Sequence, residues 1–268
     1  SLSDGSITVE AAQPRLVARG RAKPDGVPGD LAITTPIDRF APEIEVKARL
    51  DAAARTRLGF DLRPWVEGTT PVESKVTLGG GTGVATVSVD LRESTLSVPA
   101  LGVAKAAGTG GSATARLRID GGTIRSVQDA VLRYAATELR GRAGFDGTGV
   151  LTSLDLDGTL GPVPGRRSAS RVTMRIAPGP KRRTISAKTD DVDLLFRALH
   201  MNAHAEGGGL RFDGTLAPGP GLGLEGQAEA HDFVLASAPV LARLLSMVSV
   251  PGVTGLFAGR GLPVTRLA

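Results

Sequence analysis

The chain holds three histidines, His200, His204 and His231, and the first two stand four residues apart. On a helix that spacing would bring two rings to one face, which is how a metal site begins. No Glu follows His200 as a zincin requires and no third ligand is evident, so an exposed helix end accounts for the pair. The glycine clusters Gly79-Gly80-Gly81-Thr82-Gly83 and Gly108-Thr109-Gly110-Gly111 invite comparison with phosphate cradles, which must open onto a helix N-terminus. Both run instead into strand-like segments, from Val84 and from Ala113, and neither ends in Gly-Lys-Ser/Thr. Hairpin turns are the expectation. Ser112 lies outside any nucleophile elbow and has no matching His. Asp155 and Asp157 share one face of a strand-like run and read as solubilising charges rather than an acid/base couple. Lys181-Arg182-Arg183 and Arg166-Arg167 lack the interleaved aromatics of a single-stranded nucleic-acid surface. The chain is therefore read as a non-enzyme with no metal, no cofactor and no nucleic-acid partner.

Composition narrows the scaffold that could carry any other function. Of 268 residues 36 are Gly, close to twice the usual ~7%, so turns are frequent. Phe, Tyr and Trp number 7, 1 and 1, which leaves an interior of small aliphatics. The net charge is +5 and there is no Cys; the first permits an anionic partner without naming one, and the second removes disulfides and thiolate chemistry. The chain opens on Ser1, shows no leader, and its longest nearly uncharged run, Phe233 to Ala242, is far short of the ~20 residues of a bilayer span. It reads as a soluble internal piece of a larger protein.

Alternation is the dominant pattern. From Glu43 to Leu50 every even residue is apolar and every odd one charged, which a pleated strand converts into one dry and one wet face. The same period recurs over Arg57 to Leu62, Val72 to Leu78, Ala85 to Leu91, Ala113 to Ile119 and Arg171 to Ile176, and more weakly over Arg15 to Arg19, Val150 to Asp157 and Thr184 to Lys188. Turn clusters lie between them. Two short helices interrupt the pattern: one over about 190–202, N-capped by Thr189 with Asp190, Asp191 and Asp193 in its first turn and Val192, Leu195, Phe196 and Leu199 as its stripe, and one over 238–248, entered at Pro239. The segment from Ser126 to Leu139 fits a helix or strands.

The run Gly226-Gln227-Ala228-Glu229-Ala230-His231-Asp232-Phe233-Val234-Leu235, continuing through Ala238-Pro239-Val240-Leu241-Ala242-Arg243-Leu244-Leu245-Ser246 to Gly261-Leu262, resembles the AsmA-like, YhdP-type family of Gram-negative bacteria. There a strand of the form G-x-A-x-x-x-D-F-x-L leads into A-P-x-L-A-R-L-L-S. Asp90-Leu91 through Leu96, Pro99, Leu101-Gly102, Lys105 and Gly108 is similar to a second segment of the family, and Thr189 to Leu199 followed by Gly207 to Leu210 to its short helix before a glycine-led strand. The resemblance covers Val84 to Leu262. It implies strands over Ser126 to Leu139, a location in the periplasm, an inner-membrane anchor outside this segment, and passage of phospholipid along a β-groove between the inner and outer membranes.

The expected fold is accordingly mainly β: antiparallel strands forming one long curved open sheet, a β-groove over residues 1–268, with two short helices near the C-terminal end; a closed β-sandwich is the alternative. The dry face would meet acyl chains through Ile44, Val46, Leu50, Leu58, Phe60, Leu62, Val76, Leu78, Val87, Val89, Leu91, Leu117, Ile119, Val172, Met174 and Ile176. Phospholipid is the expected partner, with the membrane reached through parts outside this segment and other envelope proteins as further partners. The rival reading is a scaffold for outer-membrane biogenesis that pairs through its sheet edges. A sugar-binding sandwich would want more platforms than the single Trp65 and Tyr134 provide.

Overall fold

The structure, a computed structural model, describes residues 2–12, 14–24, 26–38, 42–58, 62–79, 81–98, 103–162, 168–179, 182–198, 204–216, 224–235 and 262–267. The fold is mainly β, with 73% of the described residues in strands, antiparallel and not closed into a barrel. Two compact units divide the chain, Ser1–Ser97 with Lys105–Leu151, and Val98–Ala104 with Thr152–Ala268.

The first unit is built on β1 (Leu2–Ala12), β2 (Arg15–Pro24), β3 (Gly29–Pro36), β4 (Glu43–Leu50), β6 (Thr70–Gly79), β7 (Thr82–Asp90), β10 (Gly111–Asp120), β11 (Thr123–Tyr134) and β12 (Thr137–Phe145), which lie side by side in that order. Every neighbouring pair is antiparallel. Short hairpins such as Gly79 to Thr82 and Asp120 to Thr123 close one end of the strands, as the Gly79 to Gly83 cluster led one to expect; the Gly108 to Gly111 cluster, expected to turn a hairpin as well, instead ends a longer connection into β10, which does not pair with the short strand before it. The longer connections, 51–69 and the first unit's part of 91–110, gather at the other end and carry α1 (Ala52–Arg57), β5 (Val66–Gly68) and β8 (Ser94–Val98), and β5 pairs with β8; of β9 (Val103–Lys105) only Lys105 belongs to the first unit.

The second unit is a sheet of β13 (Leu151–Leu160), β14 (Ser170–Ala177), β15 (Arg183–Thr189), β16 (Ala205–Leu216), β17 (Leu224–Leu235) and β18 (Leu262–Leu267), again antiparallel throughout. Among its described residues a single helix, α2 (Asp193–Ala198), interrupts it between β15 and β16.

Three expectations are corrected or bounded. The alternation from Arg57 to Leu62 begins in a helix rather than a strand, and its residues 59–61 lie outside the described residues. Asp51 accepts a hydrogen bond from the Ala54 amide at 2.7 Å, and this N-cap followed by three alanines starts α1, which runs through Arg57 with Leu58 as its C-cap. The second helix begins at Asp193, not at Asp190, because Thr189 is still held in the sheet opposite Val172 and Leu210. The proposed helix over 238–248 lies outside the described residues.

Ser126 to Leu139 forms the paired strands β11 and β12. Its helix-like spacing has a structural cause. The register slips between Val127 and Ala130, where Asp129 takes a φ of 49°. Such a bulge adds one residue to one strand. It puts Val127 and Leu132, five apart, on the same face of the sheet, a spacing that a regular strand would not allow.

Candidate functional site

Register carries the alternation of single strands into rows that cross the first unit's sheet. Opposite residues of an antiparallel pair share a face. One row passes from Val9 through Ala18, Ile33, Ile44, Val76, Ala85, Leu117 and Val127 to Ala143. A second runs from Ile7 through Gly20, Leu31, Val46, Ser74 and Val87 to Ala115. A third runs from Ala22 through Gly29, Ala48, Val72, Val89 and Ala113 to Leu132 and Leu139. None of the three contains an Asp, Glu, Lys or Arg. At ~4.8 Å per strand the nine strands of the first row extend roughly 38 Å along the sheet.

These side chains are not sealed into a core. Ile44, Val46, Leu50, Val76, Val87, Val89, Leu117 and Ile119 are half-buried, and all but Ile44, which follows the half-buried Glu43, stand between exposed neighbours in sequence. Leu78 is 37% exposed, and at the β1 margin Ile7 and Val9 reach 50% and 65%. Gly83 keeps the surface smooth beside Leu78, since a Cβ there would fall 2.8 Å from the Leu78 Cδ2 atom.

The opposite face disposes of its charges internally. Lys47 donates to Glu73 at 2.9 Å, Arg21 to Asp30 at 3.3 Å and Arg133 to Glu138 at 3.0 Å, while Lys75 pairs with Glu43. The hydrogen bond from Glu73 raises the Lys47 pKa, that from Glu43 raises the Lys75 pKa, and the guanidiniums of Arg133 and Arg140 hold Glu138 below the usual carboxylate range. An open depression of about 1000 Å³ lies on this side, walled by Arg21, Asp30, Lys47 and Glu73 among others. These four are already paired with one another.

The apolar face is walled at one end. Over the strand ends at Leu50 and Thr70 the Arg55 guanidinium donates to the carbonyls of Leu50 (2.9 Å), Gly68 (2.9 Å) and Val66 (3.0 Å) and to the Thr70 hydroxyl (2.8 Å). Next to it, the Lys105 ammonium donates to the carbonyls of Leu91, Ser94 (2.7 Å) and Ala106 (3.2 Å). Burial pushes the Lys105 pKa down, with Asp90 opposing it. Leu91, Leu96, Tyr134 and Leu139 are buried around these cations.

The sixteen residues expected to line a groove thus fall into groups. Ile44, Val46, Leu50, Val76, Leu78, Val87, Val89, Leu117 and Ile119 share the apolar face of the first unit. Leu91 is 5% exposed and belongs to the wall. Leu58 caps α1, and Leu62, 41% exposed, lies in the connection that follows; neither is in a strand. Phe60 lies outside the described residues. Val172 and Ile176, buried, and Met174, half-buried, share one face of β14 in the second unit. Sequence reasoning passed over Leu31 and Ile33, whose alternation Ala32 hides, over Ile7 and Val9, and over Val127 and Leu132, which only the bulge aligns.

Among the described residues no group of three His, Asp or Glu side chains is placed to hold a metal, and no helix is long and apolar enough to cross a membrane. No family model, curated protein or solved structure matches the chain.

Proposed function

We propose that this protein holds the acyl chains of phospholipid against the apolar face of its sheet, and that it serves lipid transport between the inner and outer membranes of a Gram-negative envelope. The observation that carries the reading is the three uncharged rows, in which Ala22, Ala85 and Leu139 are buried but the other aliphatic side chains stay half-buried or exposed. A continuous apolar surface of this extent in water calls for an occupant. Hydrocarbon answers that need without position-specific chemistry: each CH₂ removed from water contributes about 0.8 kcal/mol, and a smooth aliphatic floor sets little barrier to sliding. Polar headgroups would remain in water beyond the margin. The motif resemblance to the AsmA-like family supports the periplasmic setting and the direction of the argument from surface to lipid.

The scaffold reading draws on a different observation. β1 is the terminal strand of the first unit's order and carries exposed Ile7 and Val9, so an added strand could pair there.

Native mass spectrometry with organic extraction of the chain purified from bacteria separates the two. Phospholipid should co-purify with the native chain, and Val87→Asp or Leu117→Asp should abolish its occupancy while Arg116→Asp and Arg118→Asp leave it unchanged. A lipid-free native chain, or equal loss from both faces, defeats the transport reading.

A further inference from the structure

Resting on the acyl-chain reading, we propose that the occupant is an amphiphile bound with one polarity: its chain ends point to the walled end of the first unit's strands and its polar head leaves at the hairpin end. The two ends differ in three ways. The first is room. At the walled end a Cβ added to Gly68 would fall 2.5 Å from the Glu93 carbonyl oxygen and one added to Gly111 3.0 Å from the Lys105 Cε, although Gly108 and Gly110 further along that connection are open; at the hairpin tips Cβ atoms added to Gly79, Gly81, Gly121 or Gly122 would meet nothing within 4 Å, and only Gly83, one residue inside a strand, is closed, by Leu78 at 2.8 Å.

The second is exposure. Leu91, Leu96 and Tyr134 at the wall are 5–7% exposed, whereas Leu78, beside the Gly79 hairpin, is 37% exposed. The third is chemistry. Two cations are buried in the wall, and both are engaged, Arg55 by three carbonyls and a hydroxyl and Lys105 by three carbonyls. The Ser94 hydroxyl is likewise engaged, donating to the Thr69 carbonyl at 3.1 Å. A phosphate driven in between these two buried cations would lose its water and gain no donor from either. A methyl terminus loses nothing there. From Leu78 to Val72 the floor runs about 20 Å at ~3.3 Å per residue, so an alkyl chain laid along the strand reaches the wall while its head stays beyond the hairpins.

The test is photocrosslinking of the full chain with two phosphatidylcholine vesicle preparations, one carrying a diazirine near the end of an acyl chain and the other a diazirine on the headgroup, with labelled peptides located by mass spectrometry. The chain-end probe should label the Val72, Val89 and Leu132 row several-fold more than Leu78 and Ile119, and the headgroup probe should show the reverse. A common distribution for both probes, or an inverted one, overturns the single polarity while leaving acyl binding intact. Absence of labelling by both probes overturns the acyl-chain reading itself, and the polarity falls with it.

Discussion

Each unit inserts one short helix between two strands of its sheet, and the two insertions are secured with opposite charge. In the first, buried Arg55 reaches back from α1 and donates to backbone oxygens of Leu50, Val66 and Gly68. In the second, buried carboxylates accept. Asp193 takes the Ala205 amide at 3.2 Å and the Arg197 side chain at 2.6 Å, and Asp191 takes the Asp193 amide at 3.1 Å and the Ser170 hydroxyl at 3.2 Å. Leaving a strand for a helix strips backbone groups of ladder partners, and these must be satisfied some other way. Which charge does so follows from which groups the departing chain orphans: carbonyls around α1, amides around α2.

The largest effect is expected from breaking the first arrangement. Arg55→Met would leave a cluster of buried acceptors without donors, so the midpoint of chemical unfolding should fall by the equivalent of about 3 kcal/mol or more. Trp65, the chain's single Trp, sits between α1 and β5 and reports the change by fluorescence. An unaltered midpoint would show that water replaces the guanidinium there.

Lys105→Met should cost about 2–3 kcal/mol through the same mechanism, and it adds a pH signature. Burial lowers the Lys105 pKa, so above that lowered value the unfolded chain binds more protons than the folded one. Stability of the native protein should therefore rise with pH across the interval between the lowered value and the ordinary lysine value of about 10.4. That slope should be missing from the variant; its persistence would assign it to another group. The smallest effect is expected from Asp193→Asn, which retains one acceptor for the Ala205 amide but loses the ion pair with Arg197, at about 1–2 kcal/mol. Hydrogen exchange should quicken locally at residues 189–198 and 204–207. Exchange that quickened equally at 51–69 would show that the two insertions are not secured separately.

These cations and carboxylates mark the boundary of what the sequence made legible. β4 is evident from Glu43 to Leu50 because its charges alternate without a break, and the same holds for β10 around Arg116 and Arg118. The face they share followed from period two alone. Arg55 and Lys105, by contrast, look in sequence like any surface cation, since the carbonyls and hydroxyl that bind them are contributed by residues up to fifteen positions away and exist as a set only once the connections fold over the sheet. α1 was hidden for a related reason: the alternation after Arg57 was followed as a strand, whereas the Asp51 cap and the alanine run behind it govern the local structure. β11 resisted a reading because one residue, Asp129, shifts the parity of everything after it. The rows themselves needed register, which no single strand contains.

Each strand of the first unit's sheet pairs with the strand before it in the chain, apart from the short pieces set into two of the connections. A sheet with that order can be assembled from the ribosome outward. When β2 emerges its partner is already waiting one tight turn away, and each later strand finds an open edge made by the strand just completed. No strand must be threaded between two others, so the loop-closure entropy of each addition stays small. The cost is a growing edge that stays unpaired until the next strand arrives, and this is where the nascent chain is most exposed to mispairing with other chains.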